Sequence, residues 1–175
     1  MSYLQRIKSA FSKQTLNPNV ELKRLLKSDI KSEDAIRNII EKGANVNATV
    51  DTNDTTILMY ALKFKASFDI INLLIENDAD VNVFDKKFNH TMEYVVEYNA
   101  SIDILKLLIK KITNDTKPED IDNGAVFTNT LSTALECNAS ENIIKLLIEK
   151  IGDDTEYIDE IDILAEKPRI AHSKW

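Results

Sequence analysis

An eleven-residue phrase recurs four times along this chain: KSEDAIRNIIE from Lys31, ASFDIINLLIE from Ala66, ASIDILKLLIK from Ala100 and ASENIIKLLIE from Ala139. Aligned on Asp34, Asp69, Asp103 and Asn142, the copies stand 35, 34 and 39 residues apart. Self-similarity at such a period marks a stacked array, in which no unit can bury its apolar face alone and each is completed by its neighbours. Within a copy the apolar residues recur at helical spacing, as in Ile70, Ile71, Leu73, Leu74 and Ile75. A face that wide predicts a helix largely enclosed by other helices.

Upstream of three copies lies a shorter helical pattern: TILMYALKFK from Thr56, HTMEYVVEYN from His90 and NTLSTALECN from Asn129. Leu58, Met92 and Leu131 align as one apolar row, and Ala61, Val95 and Ala134 as a second row of slender residues. Small side chains there let paired helices approach closely. Thr56 and Asn129 read as N-caps, whereas His90 reads as a poor one. Only three glycines and three prolines are present, which suits helices joined by short connections.

The connections carry their own pattern, KGANVNATVDTND from Lys42 and NDADVNVFDKKFN from Asn77. Gly43 and the Asn77-Asp78 pair suit a helix stop at positive φ, and the residues after Val46 and Val81 suit a tight reversal. A helix–turn–helix unit of about 33 residues, the fingers GANVN and DADVN, and the opening aspartates Asp51 and Asp85 together resemble the ankyrin repeat family over roughly residues 34–150. The resemblance implies an all-α solenoid of about four repeats with helical caps. On it, residues 1–18 form an N-terminal cap, 19–48, 49–83, 84–118 and 119–152 the repeats, 153–167 a C-terminal cap and 168–175 a tail. The caps would use Leu4, Ile7 and Phe11 at one end and Ile158, Ile161 and Leu164 at the other. The family's Thr-Pro-Leu-His is replaced by TILM, HTME and NTLS, which predicts a less regular array. The third finger, KITNDTKPEDIDNG over 111–124, has lost the motif, is about five residues longer and is expected to protrude.

Composition narrows the function classes. A net charge of −7 argues against a nucleic-acid binder, which needs clustered Lys and Arg, and favours a basic protein partner if charge steers at all. No run approaches the roughly 18 apolar residues of a membrane span. The opening MSYLQRIKSAF lacks the apolar stretch of a secretory signal, and one cysteine rules out an internal disulfide, so a cytoplasmic setting is expected. The basic face of that segment (Arg6, Lys8, Lys13) suits a packed cap ahead of membrane contact.

Chemistry has few candidates. His90 and His172 lack ligand-spaced companions, Cys137 has no base beside it and reads as a buried or half-exposed structural thiol, and no Gly-rich phosphate loop exists. The clusters Asp51/Asp54, Glu119/Asp120/Asp122 and Asp153/Asp154 lack calcium-loop spacing. We therefore expect no enzyme, cofactor or metal. A hydrolase would require His90, Cys137 and an acid to converge.

The resemblance places partner contacts on a concave side lined by first helices and fingers. Carried over by alignment, they are Thr52, Asn53, Thr55, Lys63 and Phe64 in the second repeat, and Lys86, Lys87, Asn89, Glu97 and Tyr98 in the third. In the fourth they are Ala125, Val126, Thr128, Glu136 and Cys137. Phe84 and Phe88 join Phe64 and Tyr98 as an aromatic centre, or else pack beneath the neighbouring finger. The expected activity is a protein–protein interaction module, monomeric alone. An immunity protein capping a toxin's active site is one variant, and a viral or bacterial host-interaction factor is another.

Overall fold

The computed structural model describes residues 17–115 and 123–152. Among them eight helices follow one another: α1 (Pro18–Lys27), α2 (Glu33–Glu41), α3 (Ile57–Lys63), α4 (Phe68–Glu76), α5 (Thr91–Glu97), α6 (Ile102–Asp115), α7 (Asn123–Glu136) and α8 (Glu141–Ile151). Each odd-numbered helix packs on the even-numbered helix that follows it, and contacts also run along two rows, α1–α3–α5–α7 and α2–α4–α6–α8. The four copies of the recurring phrase supply the second row, so the echoing segments do lie side by side. The all-α repeat architecture anticipated above is present.

The rows are held by the residues whose periodicity announced them. Leu58, Met92 and Leu131 are buried between first helices, and Ala61, Val95 and Ala134 are fully enclosed where those helices meet. In the second row Leu74, Leu108 and Leu147 are completely buried, as are Ile36, Ile71 and Leu105. Each such side chain contributes roughly 2 kcal/mol relative to exposure. Every one of them depends on a neighbouring pair for part of its cover, which is why the array is the unit of stability.

Helix ends are defined locally. Ser32, Ser67 and Ser101 precede the second helices, and their hydroxyls accept from the backbone N–H groups of Ala35 (3.3 Å), Ile70 (3.4 Å) and Ile104 (3.4 Å). Such caps satisfy amides the helix cannot. The stops anticipated at Gly43 and Asp78 occur, with φ of 91° and 64°. Lys65, Asn99 and Asn138 take the same left-handed conformation after the first helices. Each finger is closed by one antiparallel bridge, Thr49 to Thr56 and Phe84 to His90.

Three expectations need correction. The stretch 111–124 is not one long finger: α6 runs on to Asp115 and α7 begins at Asn123, each 14 residues long, so only residues 116–122 intervene. Ile112 continues the buried face of Leu105 and Leu108, and Val126 and Phe127 extend that of Leu131, so apolar periodicity overrides the polar residues between. For the same reason Asn129 lies inside α7 and is no N-cap. His90, in contrast, caps α5: its Nδ1 accepts from Met92 N–H (3.2 Å), while Glu93 Oε1 accepts from His90 N–H (3.1 Å). The end caps at 2–13 and 155–167, with Leu4, Ile7, Phe11, Ile158, Ile161 and Leu164, lie outside the described residues. So do Arg6, Lys8, Lys13, His172 and the acidic clusters at 119–122 and 153–154.

Equivalent positions in the array need not be equally buried. Ile109 and Ile148 occupy the same place in the phrase, yet Ile109 is 5% exposed and Ile148, on the last described helix, is 43% exposed. Ile109→Ala should destabilise the protein by about 3 kcal/mol and Ile148→Ala by under about 1 kcal/mol, read from urea midpoints at constant slope. Equal losses would show that α8 is covered by something further.

Candidate functional site

The surface that the resemblance nominates is built from two finger turns and the ends of the first helices. Each turn is organised by one aspartate. Asp51 Oδ1 accepts from the backbone N–H groups of Asn53 (2.9 Å) and Thr55 (3.2 Å). Asp85 Oδ1 accepts from those of Lys87 (2.8 Å) and Asn89 (2.9 Å). Its Oδ2 accepts from the Asn89 side chain (3.0 Å) and from Tyr94 O–H (2.9 Å). Burial alone would raise the Asp85 pKa, but these donors outweigh it and hold the carboxyl below its ordinary value. Asp51 is shifted downward by the same balance.

Neighbouring fingers are tied together. Asn47 donates its side-chain N–H to Asp78 O (2.8 Å), and its Oδ1 accepts from Asp80 N–H (2.8 Å). Within the first repeat, Asn45 N–H donates to Asn19 Oδ1 at the start of α1 (2.7 Å). Between the finger tips, Lys86 N–H donates to Asn53 O (2.8 Å), Lys86 Nζ to Thr52 O (2.9 Å), and the same ammonium pairs with Asp54 at 3.3 Å. Asparagine and lysine therefore supply the loop-to-loop ties at this face.

The nominated residues do not all reach the surface. Thr52, Asn53, Lys63, Phe84, Lys86, Lys87, Phe88, Glu97 and Glu136 are exposed, and Phe64, Asn89 and Tyr98 are half-buried. Thr55 is buried, because its N–H closes the Asp51 turn and the following backbone turns inward as the α3 cap. Val126 and Thr128 are likewise buried inside α7, and Ala125 is half-buried. These three positions belong to a helix and not to a finger. Cys137 is exposed, not buried or half-exposed as expected, since it lies just past the end of α7.

Two aromatic residues line the end of each of the two middle first helices, α3 and α5. Tyr60 and Phe64 have ring centroids 4.6 Å apart, and their counterparts Tyr94 and Tyr98 lie 5.7 Å apart. Lysines from the preceding pair sit over these rings: Lys23 over Tyr60 at 5.6 Å, Lys27 over Phe64 at 6.0 Å and Lys63 over Tyr98 at 6.0 Å. Cation–π contact of this kind orients the ammonium groups without neutralising them. Burial, and then the adjacent Glu97, push the Tyr98 pKa up to about 12. Sequence reading found Phe64 and Tyr98. It named Lys63 but not Lys23 or Lys27, and the placement of all three over the rings shows only when consecutive first helices are brought together.

The fingertip aromatics differ from one another. Phe84 turns an edge toward the His90 ring, with centroids 4.9 Å apart. Phe88 is 83% exposed and is held at φ 65°, so it does not pack under the neighbouring finger. His90 is fully buried, and burial lowers its pKa to about 4. Its Nε2 has no partner among the described residues. Its Nδ1 is occupied by the helix cap, so the imidazole is a structural group. Among the described residues no three His, Cys, Asp or Glu side chains gather as a metal site would require. No helix there is long and apolar enough to cross a membrane.

A family model described as ankyrin repeats, in three copies, matches residues 23–85. No curated protein matches the chain. Residues 23–85 thus match ankyrin repeats, a class of module that generally mediates protein–protein contact, and the two helix rows carry a like helix-pair arrangement on to α8.

The buried imidazole makes stability depend on pH. Its folded pKa lies below the ordinary His value, so its contribution is complete above about pH 6.5 and is lost as pH falls toward 4. Asp51 and Asp85 act lower, losing their contributions as pH falls below about 4. Glu93, raised chiefly by burial, opposes the trend as pH falls. His90→Thr keeps a capping side chain and leaves Glu93 in place. The parent should lose up to about 3 kcal/mol more than this variant between pH 7 and pH 4, measured by urea unfolding. Parallel pH profiles would show that His90 is hydrated in the folded state.

Proposed function

We propose that this chain is a non-catalytic binding module that engages a partner protein through its concave face, using finger tips and first-helix ends. The observation that carries the proposal is Phe88. An L-residue in the left-handed region costs roughly 1 kcal/mol relative to glycine, and a phenylalanine 83% exposed gains nothing from burial in return. A fingertip aromatic that lowers stability, standing beside Lys86 and Lys87, is accounted for if a partner covers it. Phe64 and Tyr98, half-buried with their rings partly open, supply further area at little entropic loss. The remaining contacts are Thr52, Asn53, Lys63, Phe84, Asn89, Glu97 and Glu136. Thr55 leaves the set because it is buried.

The capping role of His90 supports the absence of catalysis, since an imidazole buried to hold a helix end does not present itself to substrate. A reducing intracellular setting fits the single cysteine. A second reading makes the module an inhibitor that covers a basic active site, as an immunity protein would. The net charge of −7 favours it.

Phe88 separates stability from binding. Phe88→Gly should raise unfolding free energy by about 0.5–1 kcal/mol. The same change should weaken affinity for a partner recovered from native cells by at least about tenfold. The double variant Phe64→Ala/Tyr98→Ala should also weaken it while the helical circular dichroism signal persists. Undiminished affinity in both variants would remove the concave-face assignment.

A further inference from the structure

The first helices α1, α3, α5 and α7 end on equivalent residues, and those residues change sign along the array. They are Lys27, Lys63, Glu97 and Glu136, all exposed. We infer that this row reads charge order, and that the partner presents an extended segment that is acidic across the first two repeats and basic across the last two. The inference rests on the partner-binding reading above.

Three observations support it. The basic half is preorganised, because Lys27 and Lys63 are each held over an aromatic ring of the next repeat, and Lys23 adds a third ammonium over Tyr60. The acidic half is disfavoured by its own helices, although Glu97 takes a side-chain hydrogen bond from Tyr98. A carboxylate at a helix C-terminus meets the negative end of the helix dipole, so Glu97 and Glu136 stand where lysine would be more favourable. Finally, no ion pair between described residues neutralises any of the four. Nearby, Arg24 and Lys86 do find carboxylates.

The net charge of −7 would recommend a basic partner along the whole length. The row contradicts that for its first half. Packed helices lie about 10 Å apart, so the four residues span roughly 30 Å, the length of about nine residues in extended conformation. One helix step then corresponds to about three peptide residues. A matching segment carries two acidic residues about three apart, followed in one chain direction or the other by two basic residues at the same spacing. Such charge order gives register and orientation more than raw affinity.

The test uses the full chain, isotope-labelled, and synthetic decamers of identical composition followed by NMR titration at low salt. Two decamers carry Asp, Asp, Lys, Lys or Lys, Lys, Asp, Asp at every third position, and a third interleaves the two charges. One ordered decamer should bind at least about tenfold more tightly than the interleaved one, with shifts centred on Lys63 and Glu97. The variant Glu97→Lys/Glu136→Lys should lose that preference, and Lys27→Glu/Lys63→Glu should lose it too. The first variant should melt no lower than the parent, so its lost preference is not lost folding. Equal binding of all three decamers, no binding of any, or shifts confined to other surfaces would each overturn the inference. The wider reading fails separately. If a recovered partner depends on Phe64 and Tyr98 but is indifferent to both charge variants, the binding face stands and the charge order is wrong.

Discussion

The side-by-side burial of one helix pair against the next is the interaction on which everything else here depends. Among the described residues, each helix pair shares its apolar face with a neighbouring pair. Ile71, Leu74, Leu105 and Leu108 disappear from solvent only because α4 and α6 lie against each other and against neighbouring helices. That dependence fixes the spacing of equivalent residues. It also turns four separate helix ends into one row and two separate fingers into a tied edge. A fold held by a compact central core would give no reason for Lys27, Lys63, Glu97 and Glu136 to stand in a line. A stack of near-equivalent units does.

Much of this was legible because the repeat sets residues against their own counterparts. Leu58, Met92 and Leu131 could be assigned to one buried row before any coordinates, since three weak periodicities that agree make a strong one. The recurring serines two positions before Asp34, Asp69 and Asp103 carried a capping signal of the same kind, and aligning the phrase would have exposed it. The misreadings arose where a general propensity was set against a local arrangement. Imidazole is an uncommon cap, but at His90 the Nδ1 atom takes the place of a hydroxyl and Glu93 completes the reciprocal bond. Lys111–Asn114 looks like turn chemistry, yet Ile112 keeps the register of Leu108 and the helix continues.

The site was half visible for a different reason. Fingertip identity follows from the turn aspartates, so Lys86, Lys87 and Phe88 could be placed. Burial within a turn does not follow from it, and Thr55 could not be told from Asn53 by sequence alone. The lysine-over-aromatic contacts link residues from consecutive pairs and have no local sequence signature. Exposed carboxylates at helix C-terminal ends also look unremarkable one at a time. Their meaning depends on alignment across the stack, where they oppose the lysines of the first half.

The linear order of these helix ends is therefore the central physical claim, and it can be measured without any partner. Spin labels attached in pairs at Lys27 with Lys63, Lys27 with Glu97 and Lys27 with Glu136, after Cys137→Ser, give three distances by pulsed electron spin resonance. The account predicts that they grow by a near-constant step of about 10 Å, reaching roughly 30 Å between the outermost pair. A Lys27–Glu136 distance no longer than that between Lys27 and Lys63 would contradict it.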